Sequence, residues 1–296
     1  MMPRMKTLNV IGAGRVGRTL GAAWARAGVY LIGDVYTHTP ANARAALAFL
    51  GGGKAVATVG DMAKADVWLI TSPDGRIAEL GALLAQSGRL RAGDLVFHCS
   101  GALAAADLGP AAAAGALTAS VHPLKTFADA ATALDTFEGT YCVAEGDATA
   151  LERLRPAFER IGGRFVTIAP AAKPLYHAAS ALVCNDLTAL LEAGLRCYER
   201  AGIPREEAAL MLAPLVRDTV ANVVARGPIE ALTGPVVRGD VATVALHLDE
   251  LGKVDPRITR IYRELSLVAL ELARARRHLD PDVVRQLEQT LQTPHG

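Results

Sequence analysis

The segment VIGAGRVGRTL, at residues 10–20, constrains the fold of this chain more than any other feature. Apolar, strand-like residues precede it and a helix-forming run follows, so its glycines lie between a strand and a helix. Gly12, Gly14 and Gly17 have the GxGxxG spacing, in which the first glycine allows a tight turn, the second lets the backbone approach a pyrophosphate, and the third lets the helix pack closely. The helix N-terminus offers free N–H groups to phosphates. We therefore predict a dinucleotide site at these glycines, with Arg15 and Val16 between them.

Short β-like runs and alanine-rich segments of helical length alternate over the first part of the chain. The runs that we interpret as strands are residues 8–11, 30–36, 55–59, 66–71, 94–99, 116–121, 140–145 and 164–168. This alternation predicts an α/β fold, a doubly wound and mostly parallel sheet, for residues 1–169. Residues 170–296 have almost no β signal, and glycine–proline pairs punctuate their long amphipathic runs. We expect an all-α substrate and dimerisation domain there.

Composition excludes several classes of protein. The 31 basic and 30 acidic residues leave a net charge of +1, which argues against a nucleic-acid partner. The four cysteines show no metal-type spacing, and we predict no metal site. The apolar stretch ALAAADLGPAAAAGAL is broken by Asp, Gly and Pro and is too short to span a bilayer. We expect a cytoplasmic protein with reduced thiols, a small-molecule substrate and no membrane partner.

The end of the predicted second strand bears on the choice of dinucleotide. An NAD site usually has an acidic residue there, which accepts hydrogen bonds from the ribose. This chain has Thr37, His38 and Thr39 instead, and these side chains suit a 2′-phosphate better than a diol. Asp34 lies a few residues early, where a ribose contact and a purely structural role are equally open. We predict NADP as the cofactor.

Three later strand ends carry side chains that suit chemistry, because ligands of open parallel sheets collect at the carboxyl ends of the strands. Ser72 and Pro73 form a turn that we expect over the cofactor. Ser100 follows the fifth strand, and we expect it to touch both cofactor and substrate. His122 ends the sixth strand before a proline that favours extended backbone. Its imidazole could donate a proton to a reduced carbonyl, or only support the loop.

The first long helix of the second part carries a polar stripe. Lys173, His177 and Asn185 fall within an arc of about 140° on that helix, together with Ser180, Cys184 and Thr188. Such a stripe is unfavourable to bury unless it faces a polar cleft, although it could be a solvated helix face. We predict that Lys173, His177 and Asn185 act at the catalytic site.

Two basic side chains are candidates for the acidic group of a substrate. Lys125 follows the sixth strand, and Arg238 lies in the turn TGPVVRGD. A guanidinium can bind a carboxylate through two hydrogen bonds, but Arg238 could equally brace the turn by pairing with Asp240. We predict that Lys125 and Arg238 bind substrate.

The motifs GAGRVG, SPDGRI, HCSGAL, SVHPLKTF, KPLYHAASALVCND and ALTGPVVRGD, in this order, resemble those of bacterial oxidoreductases that join a Rossmann-like domain to a C-terminal helical domain of uncharacterised function. The wider group includes phosphogluconate dehydrogenase, ketopantoate reductase, pyrroline-carboxylate reductase and prephenate dehydrogenase. The resemblance implies NADP binding and a homodimer formed through the helices. It also implies that Ser100 and His122 handle the reacting oxygen and that Lys173 lies on the substrate face, although His177 stands where those enzymes have asparagine.

The sequence therefore predicts an NADP-dependent oxidoreductase that reduces a small carbonyl acid, a ketopantoate-like 2-oxo acid, with His122 as the proton donor. One alternative is a cyclic-imine reductase. The other is a protein that binds or senses NADP(H) without catalysis, which would have no use for a second polar cluster.

Overall fold

The computed structural model describes residues 4–276 and 278–293, apart from the side chain of Pro40. The chain divides into two compact units, residues 1–182 and 183–296. Among the residues just given, the first unit, here called the sheet unit, contains all the strands, and the second, the helical unit, contains helices and no strand.

The strands and helices alternate along the sheet unit and end in a long helix that continues into the helical unit. The strands are β1 (Lys6–Ile11), β2 (Tyr30–Tyr36), β3 (Lys54–Val56), β4 (Val67–Ile70), β5 (Leu95–His98), β6 (Leu117–Pro123), β7 (Tyr141–Gly146) and β8 (Arg164–Thr167). The helices are α1 (Arg15–Arg26), α2 (Pro40–Leu50), α3 (Asp74–Gln86), α4 (Gly109–Ala113), α5 (Ala130–Asp135), α6 (Ala148–Arg160), α7 (Lys173–Arg200), α8 (Arg205–Ala231), α9 (Pro235–Arg238), α10 (Val241–Gly252), α11 (Pro256–Ala275) and α12 (Pro281–Gln292).

The eight strands form one sheet in the order β3-β2-β1-β4-β5-β6-β7-β8. Every neighbouring pair is parallel except β6 and β7, which run antiparallel. The order reverses its direction between β1 and β4, and such a switch point opens a crevice at the carboxyl ends of the strands. The glycine turn after β1 therefore lies at the edge where a ligand is expected.

The central strands are buried on both faces because they are apolar throughout, and successive side chains enter two different cores. In β4, Val67 and Leu69 pack into one core, whereas Trp68 and Ile70 pack into the other. The first core closes around Trp24 of α1, whose ring makes edge-to-face contacts with three aromatic rings and whose Nε1 donates to the carbonyl of Ala157 at 2.8 Å. These layers fix the strand ends rigidly.

The helical unit has a smaller buried core, formed by α9, α10, α11 and α12 around residues such as Leu248 and Leu270. Helix α8 is interrupted at Gly227, which has φ 78° and precedes Pro228. Two segments, Pro170–Arg200 and Arg205–Arg238, are long and apolar enough to cross a membrane, and only 6% of each apolar window is buried. Both segments lie outside the apolar stretch ALAAADLGPAAAAGAL, from which the sequence predicts no membrane partner.

The predicted fold class and all eight strands are confirmed, with ends that differ by a few residues. The sixth strand runs two residues beyond the predicted end at residue 121. It continues to Pro123, and His122 pairs with Val143 of the antiparallel strand β7. The compact units divide at residue 182 inside α7, later than the predicted boundary at residue 169.

Candidate active site

A pocket of about 280 Å³ lies beside the glycine turn, at the carboxyl ends of β1, β2 and β4. The loops after these three strands supply its walls. Its lining residues are Gly12, Ala13, Gly14, Arg18, Tyr36, Thr37, His38, Asn42, Thr71, Ser72, Pro73, Arg76 and Leu80. Six of the predicted cofactor residues thus line one pocket.

Each glycine of the turn has a distinct steric environment. Gly12 has φ +86°, and a Cβ there would lie 2.7 Å from the backbone nitrogen of Ser72. A Cβ on Gly17 would lie 2.7 Å from the carbonyl oxygen of Gly12 and would also meet the hydroxyl of Thr71. At Gly14 a Cβ would meet nothing within 4 Å, so the backbone there faces open space. The turn is tight where it packs on the protein and open where a ligand would approach.

The other predicted cofactor residues are placed differently. Val16 packs against the core, and the exposed Arg15 donates to the carbonyl of Phe127 at 3.5 Å. Thr39 caps α2 by accepting a hydrogen bond from the backbone N–H of Asn42 at 3.4 Å. Neither Val16 nor Thr39 lines the pocket.

The described walls of the pocket carry basic side chains and no acidic ones. Among the described residues that line it there is no carboxylate, whereas Arg18, Arg76 and His38 are basic. Asp34, the acid that the sequence offers near the end of β2, is buried and accepts a hydrogen bond from the backbone N–H of Ala63 at 2.6 Å. That carboxylate holds two segments of the sheet unit together, which supports the structural role that the sequence had left open.

One buried hydroxyl tests whether these residues fit a dinucleotide. The Oγ atom of Ser72 is buried and has no hydrogen-bond partner among residues 4–276 and 278–293, although it belongs to the pocket wall. A buried polar atom without a partner is unfavourable, and a ligand oxygen could satisfy it. The glycine turn, this hydroxyl and the basic walls together fit the phosphates of a dinucleotide.

Two imidazoles and a phenol meet at the same edge of the sheet, near the ends of β5 and β6. The Nδ1 atom of His122 is 2.8 Å from the hydroxyl of Tyr176, and the ring centroids of His122 and His177 are 5.9 Å apart. A Cβ on Gly101 would lie 3.1 Å from Cε1 of His122 and 2.9 Å from Cε1 of His177. The turn after β5 therefore has to carry glycine for both rings to approach it.

The surroundings of His122 keep its ring neutral. Burial, followed by the positive charge of Lys173 and the proximity of His177, lowers the pKa of His122 to about 4. Asp74, at the start of α3, opposes this shift but does not reverse it. At neutral pH the imidazole is therefore in its neutral form, which carries one ring hydrogen rather than two.

Lys173 is bound inside the sheet unit. Its side chain is 1% exposed, donates to the hydroxyl of Ser120, and lies 3.8 Å from a carboxylate oxygen of Glu145, which is also 1% exposed. Burial lowers the pKa of Lys173 and the Glu145 carboxylate opposes that shift. Glu145 in turn accepts from the backbone N–H of Ala105 at 2.7 Å. The network ties the first residue of α7 to the sheet.

Ser100 organises its own turn. Its Oγ accepts from the backbone N–H groups of Ala102 at 3.1 Å and Leu103 at 2.9 Å, and its backbone N–H donates to Nδ1 of His98 at 3.2 Å. The structure does not bring this hydroxyl to His122, whose hydrogen bond goes to Tyr176. That Ser100 and His122 both contact the reacting oxygen of the substrate stays a prediction.

The remaining predicted residues lie apart from this cluster or are engaged elsewhere. Lys125 donates from Nζ to the carbonyl of Thr136 at 2.8 Å. Asn185 belongs to the helical unit and is exposed, so the polar stripe of α7 is divided between two units. Arg238 is exposed in the helical unit, and the carboxylate of Asp240 accepts from the backbone and hydroxyl of Thr243.

Two family models match the chain. Residues 1–123 match the Rossmann-like domain, and residues 140–269 match a domain of unknown function, DUF2520. The chain therefore joins a Rossmann-like domain to a DUF2520 domain. The DUF2520 match begins just before β7, so this domain takes in the last two strands of the sheet, helices α6 to α10 and the first part of α11.

Solved structures with the same fold cover nearly the whole of this DUF2520 protein. Protein TM1727 from Thermotoga maritima is 26% identical, with a TM-score of 0.74 over 92% of this chain and 100% of that one. BF3122 from Bacteroides fragilis, provisionally an NADP oxidoreductase, is 20% identical, with a TM-score of 0.69 over 90% and 98%. An imine reductase from Myxococcus stipitatus, in complex with NADP+, is 19% identical, with a TM-score of 0.63 over 95% and 99%. No curated protein matches the sequence.

Sequence reasoning missed several residues of the DUF2520 protein's site. Arg18 and Arg76 line the pocket, and Arg76 lies in the motif SPDGRI that had drawn attention for its turn. Tyr176 directly precedes His177, but it was missed because the predicted stripe on this helix did not include tyrosine among its polar side chains. Glu145 is the last residue of a predicted strand, and the sequence around it does not indicate that its carboxylate lies near Lys173. Among the described residues, no cluster of three or more His, Cys, Asp or Glu could hold a metal ion.

Proposed function

We propose that this DUF2520 protein is an NADP-dependent oxidoreductase that reduces a small substrate. The observation that carries the proposal is the pocket at the glycine turn, with an unpartnered Ser72 hydroxyl and basic walls without a carboxylate. Relatives of the same fold include an NADP-bound imine reductase, which supports the class of reaction.

We propose NADP rather than NAD because of the charges in the pocket. A ribose diol needs an acceptor, and the carboxylate of Asp34 is already engaged with Ala63. The guanidinium of Arg76 suits a 2′-phosphate instead, whereas the hydroxyl of Thr37 donates to the carbonyl of Thr39 at 2.7 Å and would have to exchange that bond for one to the phosphate. Arg76 also pairs with Glu79, so phosphate would compete with that exposed ion pair.

Bound NADPH would supply the hydride, and the chain's part is to orient the substrate and deliver a proton. Gly12, Gly14 and Ser72 would hold the pyrophosphate. We keep His122 at the reacting centre, as the sequence predicts. Its lowered pKa means that it works as a neutral imidazole, which needs a partner to pass on a proton.

A 2-oxo acid is our first proposal for the substrate, and a cyclic imine is the second. A 2-oxo acid needs a cation for its carboxylate, and Lys125, one of the two predicted, is bound to the carbonyl of Thr136. The imine alternative is favoured by the imine reductase relative, which the chain matches over 95% of its length. A sensor without turnover is the third possibility.

The test begins with binding of NADPH and NADH, followed by oxidation of NADPH against 2-oxo acids and cyclic imines. We expect NADPH to bind more tightly, and Arg76→Ala to weaken it about tenfold while NADH is unaffected. Arg44→Ala, which removes an exposed charge outside the pocket, is the matched control. His122→Ala should retain NADPH binding and lose turnover. Absence of NADPH binding would refute the proposal, and binding without turnover of any substrate would favour the sensor.

We also propose that the protein is a cytoplasmic homodimer whose interface is the helical unit. The apolar helices α7 and α8 are largely exposed, and a second copy would cover them. All four cysteines are free thiols, in keeping with a reducing compartment.

A further inference from the structure

Tyr176 is the hydrogen-bond partner of the ring that the sequence singles out. It lies one turn into α7, with its hydroxyl 2.8 Å from Nδ1 of His122 and the two rings edge to face at 5.8 Å. The other ring nitrogen of His122, Nε2, has no hydrogen-bond partner among the described residues, and the ring is only part-buried. One nitrogen therefore faces the phenol while the other is available to water.

The protons of the two groups are unequally held. Burial lowers the pKa of His122 and raises the pKa of Tyr176. At neutral pH the phenol therefore keeps its proton, and the imidazole is neutral with a single ring hydrogen. The charged or titratable groups that act on the imidazole are Lys173 and His177 on α7 and Asp74 at the start of α3, and Cys142 on β7 acts on the phenol. The positive charge of Lys173 favours the neutral imidazole.

We infer that Tyr176, not His122, holds the proton delivered to the substrate, and that His122 is the positioning residue that orients the phenol and restores its proton. This inference rests on the proposed reductase function. It assigns His122 the tautomer with hydrogen on Nδ1, which donates to the phenol oxygen and leaves the phenol hydrogen free to point at the substrate.

The protons balance in one cycle. As hydride reaches the substrate carbon, the O–H bond of Tyr176 breaks and its proton bonds to the substrate oxygen or nitrogen. The Nδ1–H bond of His122 then breaks, its proton returns to the phenolate, and Nε2 takes a proton from water. The ring ends as the other neutral tautomer, and proton exchange with solvent restores the first. One solvent proton is consumed for each hydride transferred.

The helical unit contains a second histidine–tyrosine pair that serves as a matched control. The Nδ1 atom of His247 is 2.9 Å from the hydroxyl of Tyr262, with ring centroids 5.6 Å apart and edge to face. Each tyrosine has a serine four residues later, Ser180 and Ser266. The two pairs therefore share local geometry, but His247 is exposed and has no role in the proposed reaction.

The first measurement needs no substrate. Nitrogen-15 NMR of the full-length protein at pH 7 should show His122 neutral with hydrogen on Nδ1, and Tyr176→Phe should shift it toward the Nε2–H tautomer. Tyr262→Phe should leave the His122 signal unchanged. A His122 with hydrogen on Nε2 in the unsubstituted protein would overturn the inference, because the phenol hydrogen would then be engaged by Nδ1.

The second measurement is kinetic. Tyr176→Phe should lower kcat by about 10²–10⁴-fold with NADPH affinity unchanged, whereas Tyr262→Phe should keep kcat. His122→Asn should leave a larger residual rate than Tyr176→Phe, because the phenol still holds its proton. Full kcat in Tyr176→Phe alongside loss in His122→Asn would return the donor role to His122 and refute this inference alone. Failure of the unsubstituted protein to bind NADPH would instead refute the proposed function.

Discussion

The sheet unit and the helical unit use apolar residues in opposite ways. In the sheet unit all four residues of β4 are buried, and the strand contributes to cores on both faces. In the helical unit, α8 has one buried residue, Ala208, while Val224 is 82% exposed and Leu210 is 76% exposed. The first unit completes its own core, whereas the second leaves apolar surface that a stable soluble molecule would cover.

The largest effect is expected where the core is complete. Trp24→Ala removes a ring that contacts Tyr30, Phe97 and Phe158, together with a buried hydrogen bond. We expect a loss of about 3–5 kcal/mol in the free energy of unfolding, measured by urea denaturation. The comparison variant Val224→Ala should change that free energy by less than about 0.5 kcal/mol in the monomer. Equal losses would mean that the two units do not differ as described.

A second contrast concerns acid. Burial lowers the pKa of His98 to about 4, and the ring is fully buried, with Nε2 3.0 Å from the carbonyl of Ala104. The unfolded chain binds a proton near pH 6.5 and the folded ring does not, so stability falls as the pH drops from about 6.5 to 4. The single group contributes about 3 kcal/mol to this loss.

Denaturation of the full chain at pH 7, 5.5 and 4.5 measures the effect. In His98→Gln the stability curve should be flatter over this range, even if the variant is less stable throughout. The exposed His247 provides the comparison in the helical unit, and His247→Gln should leave the slope as it is. A slope unchanged by His98→Gln would show that other groups cause the acid sensitivity.

The same contrast explains what the sequence could predict. Strands such as β2, residues 30–36, are found within a residue or two because period and composition are local properties. The roles of Gly12 and Gly17 could be predicted because the GxGxxG spacing indicates where a side chain would clash, and a Cβ at either position would do so. The contact between Lys173 and Glu145 joins positions 28 residues apart in sequence through the tertiary fold, so no local pattern contains it.

The candidate site divides along the same line. Six pocket residues, Gly12 and Ser72 among them, were predicted, whereas Arg18, Arg76 and Tyr176 were missed because their roles depend on which side chains the folded chain brings together. The angular spacing along α7 shows which residues share one face of the helix. It does not show which of them are buried, because burial depends on what packs against each turn. Lys173 is enclosed by the sheet and Asn185 is exposed in the other unit.

The exposed apolar surface of α8 gives the smallest effect and tests the proposed homodimer. Val224→Glu would bury a carboxylate in the interface, so we expect the dissociation constant of the dimer to rise about 10–100-fold, as measured by analytical ultracentrifugation. Leu31→Glu, at a leucine that is 59% exposed in the sheet unit, adds the same charge and should leave association unchanged. The pair of variants therefore isolates the helical face from a general effect of charge.

The length and apolarity of α7 and α8 make a bilayer the competing environment for this surface. A membrane span would place the unsubstituted protein in the membrane fraction of lysed cells, and Val224→Glu would then reduce insertion rather than pairing. A charged pair, Arg217 and Asp218, lies in the middle of α8, and both side chains are exposed. Charges at that depth are unfavourable in hydrocarbon but are readily accommodated at the polar rim of a protein interface, which is why we expect the dimer to be recovered from the aqueous fraction.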